Sequence, residues 1–93
     1  MTEFPLEEVL AMQKRFVELY RTTGLLSVND NYVHVTDHAL AELSDPSTWN
    51  IKVVRNPGFD TPYHVHTWIQ GTEFVAVLNE KEMAEYGLEI PDA

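Results

Sequence analysis

The segment Tyr63 to Asn79, YHVHTWIQGTEFVAVLN, constrains the fold more than any other part of the chain. Its residues alternate with a period of two on either side of Gln70-Gly71, the pattern of two strands joined by a two-residue turn. Such turns need positive φ, which glycine adopts without a steric cost. Closing the turn at Gln70-Gly71 sets Ile69 opposite Thr72, and therefore His66 opposite Val75 and Trp68 opposite Glu73. One face then carries Tyr63, Val65, Thr67, Ile69, Thr72, Phe74, Ala76 and Leu78, and is expected to face the core. The other carries His64, His66, Trp68, Glu73, Val75 and Val77. That second face is more apolar and aromatic than the water-facing side of an antiparallel sheet usually is. A helix, a partner or a ligand is expected to cover part of it.

The remaining elements arrange themselves around this hairpin. Residues 5–22 read as a helix, with Pro5 in its first turn, Glu7 and Glu8 at its positive end and Arg21 at its negative end. Leu6, Val9, Leu10, Phe16, Val17 and Tyr20 form an apolar stripe that Met12 and Leu19 widen and Gln13 interrupts. The stripe is expected to pack on the sheet, with a second subunit on the Met12–Phe16–Leu19 flank as the alternative. Gly24 suits the stop. Leu25–Val28 and Tyr32–Val35 flank the turn residues Asn29-Asp30-Asn31 and suggest a small hairpin. Thr36 caps a short helix through Leu43, with Leu40 and Leu43 expected to point inward, and Ser44-Asp45-Pro46-Ser47 breaks it. Residues 49–56 alternate as a strand, with Trp49, Ile51 and Val53 on one face. A loop from Asn56 to Pro62 follows. Asn79 and Glu82 have the spacing of a capping box, opening a helix over 80–86 that stops at Gly87, and the tail from Leu88 is expected to be loosely held. The expected fold is a single α+β domain over residues 1–93: N-terminal helix, short strand, short helix, three-stranded antiparallel meander and C-terminal helix.

Charge and composition narrow the function classes. Six Lys+Arg against fifteen Asp+Glu give a formal charge of −9. Binding to phosphate backbones or anionic membranes needs a basic surface that this balance does not supply, so neither nucleic acid nor membrane is expected as a partner. There is no cysteine, hence no disulfide and no thiolate ligand or nucleophile. The N-terminal MTEFPLEEV carries acid where a signal peptide carries base, and no apolar run reaches membrane-spanning length. A cytoplasmic location is expected.

Candidate chemistry gathers on the second face of the hairpin. Residues i and i+2 of a strand share a face, so His64 and His66 can converge on one ion, with Glu73 across the hairpin as a carboxylate. Gly58 precedes His64-Val65-His66 by five intervening residues, and this G-x5-H-x-H run resembles the first metal-binding motif of the cupin family. The resemblance implies a divalent metal on His64 and His66. The chain departs from the cupin pattern in having six residues between His66 and Glu73 and no counterpart of the second motif. Against the metal reading stands the plainer one, in which both histidines are half-exposed sheet residues. No G-x-S-x-G elbow, P-loop or dinucleotide fingerprint is present. Glu7/Glu8 and Glu80/Glu82 serve as helix N-terminal charges. Trp68, beside Val75 and Val77, marks a binding patch of the kind protein interfaces use.

Two segments, YVHVTDHALAEL (residues 32–43) and TEFVAVLNEKE (residues 72–82), together are similar to small uncharacterised proteins of Gram-positive bacteria and their phages. The resemblance implies no particular activity. The leading reading is a non-enzymatic interaction or accessory protein, binding a protein partner or a second copy of itself through His64, His66, Trp68 and Glu73. The alternatives are a divalent-metal site on His64, His66 and Glu73, and an acidic mimic that occupies a basic, nucleic-acid-binding protein.

Overall fold

The hairpin forms in the register that its alternation dictates, and the sheet around it is larger than expected. A computed structural model describes residues 3–54 and 62–90. Helix α1 spans Leu6–Thr23, strand β1 Leu25–Val28, β2 Tyr32–Val35, helix α2 Asp37–Leu43, β3 Asn50–Val53, β4 Tyr63–Ile69, β5 Thr72–Leu78 and α3 Glu80–Glu85. Between β4 and β5, Gln70 and Gly71 have φ of 51° and 80°, the paired left-handed conformations of a twist-matched two-residue turn. Ile69 pairs with Thr72, His66 with Val75 and Trp68 with Glu73.

The expected three-stranded antiparallel meander is present as β3-β4-β5 but is only part of the sheet. Five strands lie in the order β1-β2-β5-β4-β3. β1 and β2 form the small hairpin suggested by Asn29-Asp30-Asn31, with the Asn29 carboxamide oxygen accepting from the backbone N–H groups of Asn31 and Tyr32. β2 then pairs with β5 in parallel, Tyr32 with Glu73 and His34 with Val75, which makes the sheet mixed. Local periodicity cannot announce this pairing, because it joins residues some forty positions apart across a crossover. Arg55, Asn56 and the loop through Thr61, including Gly58, lie outside the described residues.

α2 and α3 cover one face of the sheet and build the core with it. Val35, Leu40, Trp49, Tyr63, Val65, Ala76, Leu78 and Met83 are buried there, and Val65, Leu40, Leu78 and Met83 are sealed completely. Each such side chain contributes roughly 1.5–3 kcal/mol by leaving water. Both short helices depend on caps. The Thr36 hydroxyl accepts from the Ala39 N–H at 3.2 Å. At α3 the capping box closes in both directions: the Glu82 N–H donates to Asn79 Oδ1 at 2.8 Å, and the Asn79 N–H donates to Glu82 Oε1 at 2.9 Å. Trp49 Nε1 donates to Ser44 Oγ at 2.8 Å, so the indole is buried without an orphaned N–H.

Three expectations need correction. Leu40 is fully buried but Leu43 is 54% exposed, because α2 ends at Leu43 and the chain turns away at Ser44. The tail is held at its start: the Leu88 N–H donates to the Met83 carbonyl at 2.9 Å, and Leu88 packs against the core. The largest correction concerns α1. Its apolar stripe does not pack on the sheet as core, since no residue of the helix is buried. Leu6, Leu10, Met12 and Tyr20 are all about half exposed or more. The principal contacts of α1 with the sheet are with β1, the edge strand, and the longest dimension of the molecule is 51 Å.

The root of α1 is fixed. Gly24 closes the helix at φ 85°, and its carbonyl accepts from the Thr36 N–H at 2.9 Å. A Cβ at Gly24 would collide with the Thr36 hydroxyl that caps α2. Both the left-handed backbone and the close approach therefore demand glycine here.

Candidate binding face

The sheet face opposite α2 and α3 carries every site residue that the sequence singles out. Three rows of side chains cross it, read from the pairing of the strands. At one end Lys52, His64 and Val77 stand side by side on β3, β4 and β5. The middle row runs His34, Val75, His66 and Asn50 across β2, β5, β4 and β3. At the other end Tyr32, Glu73 and Trp68 line up on β2, β5 and β4. None of these residues is buried, and Trp68 is 63% exposed. The strands present them alternately with the core residues, so the face follows directly from the register.

His34 is the residue that sequence reasoning did not place. It reaches the histidine pair only through the parallel β2–β5 pairing. Its pKa is lowered, first by burial and then by the like charge of His64 nearby, which favours the neutral imidazole. His38, the fourth histidine, lies elsewhere: it is exposed on α2, with Nδ1 3.2 Å from the Tyr86 hydroxyl. The only signal for His34 was the alternation of Tyr32-Val33-His34-Val35, which puts Tyr32 and His34 on one side without saying which side of which sheet.

His66 and Glu73 meet diagonally across β4 and β5, Nδ1 to Oε2 at 3.5 Å. That contact is not a hydrogen bond, and among the described residues His66 Nδ1 is the buried side-chain nitrogen or oxygen left without a partner. A buried imidazole nitrogen without a partner forfeits about 1–3 kcal/mol until something supplies one. The rows enclose a shallow cleft of about 360 Å³ between Tyr32, His34, His64, His66 and Glu73 over a floor of Val75 and Val77. Size and lining suit a side chain or a short segment of a partner.

Among the described residues no group of three or more His, Asp or Glu side chains converges as metal ligands do. The imidazoles and the carboxylate of the face are spread over β2, β4 and β5 in three successive rows. No helix among the described residues is long and apolar enough to cross a membrane. Compared with family models, curated proteins and solved structures, the chain finds no match.

Proposed function

We propose that this chain is a non-enzymatic interaction or accessory protein that docks a protein partner on the open face of its sheet. One observation carries the reading. A five-stranded sheet presents an aromatic, imidazole-rich and partly apolar face, while both of its packed helices lie on the other side. Interface cores are enriched in aromatic residues and poor in charge, and this face matches with Tyr32, Trp68, three histidines and two valines against one lysine and one glutamate. Away from the face, Thr36, Asn79 and Glu82 serve as helix caps, and Glu7 and Glu8 as helix N-terminal charges.

Photo-crosslinking tests the reading. With p-benzoylphenylalanine in place of Trp68, irradiation of the protein in the cell that natively makes it is expected to yield one discrete protein adduct. The same group in place of Leu43, exposed on the helical side, is expected to yield none. Equal labelling at both positions, or no adduct at Trp68, would overturn the docking face.

A divalent-metal site on His64, His66 and Glu73 is the second reading, and the arrival of His34 on the same face is the observation in its favour. Calorimetric titration with zinc, alongside the His64→Ala/His66→Ala double variant, decides it. The docking reading expects no binding in either protein. Micromolar binding that disappears in the double variant would establish the metal site instead.

A further inference from the structure

We infer that the occupant of the open face is α1 of a second copy of this chain, and that two copies exchange their helices reciprocally, each α1 lying over the open face of its partner's sheet from Lys52 on β3 to Glu73 on β5. The inference rests on the docking reading above and names its partner.

The chain has two unsatisfied surfaces, and they are complementary. α1 is an 18-residue amphipathic helix without a buried residue, its apolar stripe running from Leu6 to Tyr20. A helix of that length is about 27 Å long, enough to cross the three rows of the face. An isolated amphipathic helix draws most of its stability from packing its apolar side, and here that packing is incomplete within one copy, with Val9, Phe16, Val17 and Leu19 only half-buried. The face offers Val75, Val77, Trp68 and Tyr32 as an apolar floor with aromatic walls.

The tether explains why the helix does not cover its own sheet. α1 is rooted at β1, on the edge of the sheet, and Gly24 is fixed there by its positive φ, by the hydrogen bond from Thr36 and by the absence of room for a side chain. The helix therefore projects from the edge, where the face of another copy can receive it.

Charge sets the direction. The open face carries its lysine at the Lys52–His64 end and its carboxylate, Glu73, at the opposite end beside Trp68. α1 carries Glu7 and Glu8 in its first turn and Arg21 in its last. Laying the acidic start over Lys52 and His64 brings the basic half of the helix toward Glu73, so both ends are matched at once, whereas the reverse direction opposes like charges at both. Such matching fixes register and partner choice more than raw affinity. A stable specific interface ordinarily covers about 1,600 Å² in total, and a reciprocal exchange divides that requirement between two seats. A two-fold axis uses both surfaces of both copies, so the assembly closes at the dimer.

Sedimentation of the full, untagged chain is the test. The wild type is expected to sediment at twice the 10.7 kDa of one chain. Leu10→Glu on the helix and Val75→Glu on the face are each expected to weaken the dimer by roughly 30-fold or more, the scale of a central interface contact. Leu43→Glu, on the helical side, is expected to leave it intact. Should Val75→Glu fail to fold by circular dichroism, Lys52→Glu serves instead, since Lys52 is exposed. Lys52→Glu is expected to weaken the dimer, and Glu7→Lys/Glu8→Lys in the same chain is expected to restore it. A monomeric wild type would overturn the inference. So would a dimer broken by the helix variant alone, which pairs helix with helix, or by the face variants alone, which pairs sheet with sheet. A monomeric purified chain whose Trp68 position still captures a different protein in cells overturns the exchange and leaves the docking face standing. Loss of the Trp68 adduct itself removes the docking face.

Discussion

Replacing Leu40 with alanine is expected to destabilise the protein by about 2–5 kcal/mol, measured by urea unfolding followed by circular dichroism. Leu40 is completely buried and is the side chain through which the seven-residue α2 seals the core. Truncation removes its transfer free energy and leaves a cavity that close-packed neighbours fill only in part. Domains of this size carry roughly 5–15 kcal/mol in total, so the loss takes a large share of it. At about 4–8 °C per kcal/mol, the thermal midpoint is expected to fall by roughly 10 °C or more. Leu43→Ala provides the contrast. Three residues along the same helix, and more than half exposed, it is expected to change stability by no more than about 0.5 kcal/mol. Equal losses at the two positions would mean that α2 packs with a different face.

Removing one hydroxyl is expected to give the second large effect. Tyr86 donates to Asp37 Oδ2 at 2.9 Å, joining the end of α3 to the first turn of α2, and its ring meets Trp49 edge-on at 5.4 Å. Asp37 is nearly buried, at 9% exposure. Tyr86→Phe keeps the ring contact and leaves that carboxylate short of a donor. A hydrogen bond to a charged group contributes about 1.5–3 kcal/mol, and the variant is expected to lose that much at pH 7. The same contact governs the alkaline limb. Burial, then the hydrogen bond to Asp37, then the negative charges of Asp37, Glu85 and Glu82 push the Tyr86 hydroxyl up to about 12. A tyrosine in the unfolded chain ionises near 10. Between those values the unfolded state has lost a proton that the folded state retains, so the contribution is complete below pH 10 and fades as pH rises through about 12. Unfolding midpoints between pH 9 and 12 are expected to fall more steeply in the wild type than in Tyr86→Phe. Parallel profiles would show that Tyr86 ionises freely.

How legible each feature was in the sequence depended on how local its cause is. The β4–β5 hairpin was readable to the residue, because a two-residue turn with Gly71 fixes the register and the register fixes both faces. The caps were readable for the same reason: Thr36 with Ala39, and Asn79 with Glu82, are contacts three residues long. Leu40 and Leu43 were not separable, since both satisfy the helical period and the difference lies in where α2 ends. Of the site, His64, His66, Trp68 and Glu73 were assigned together to one face and stand there. His34 was out of reach, because it joins them only through strands that are distant in the chain.

What the sequence by itself determined is therefore the three helices, the strands from Tyr32 onward, their caps, the central register and the presence of one apolar stripe on α1 and one mixed face on the sheet. These follow from periodicities of two and 3.6 and from turn chemistry, which act over a few residues. The tertiary structure alone decided that β2 runs parallel to β5, bringing His34 to the other histidines, and that α2 and α3 take the same side of the sheet. It also decided that α1, pinned through Gly24 against Thr36, stands off at the edge strand and is not core. A stripe on a helix states that something must cover it. Which surface does so depends on where the chain's own connections allow the helix to go, and that is set by contacts between residues far apart in sequence.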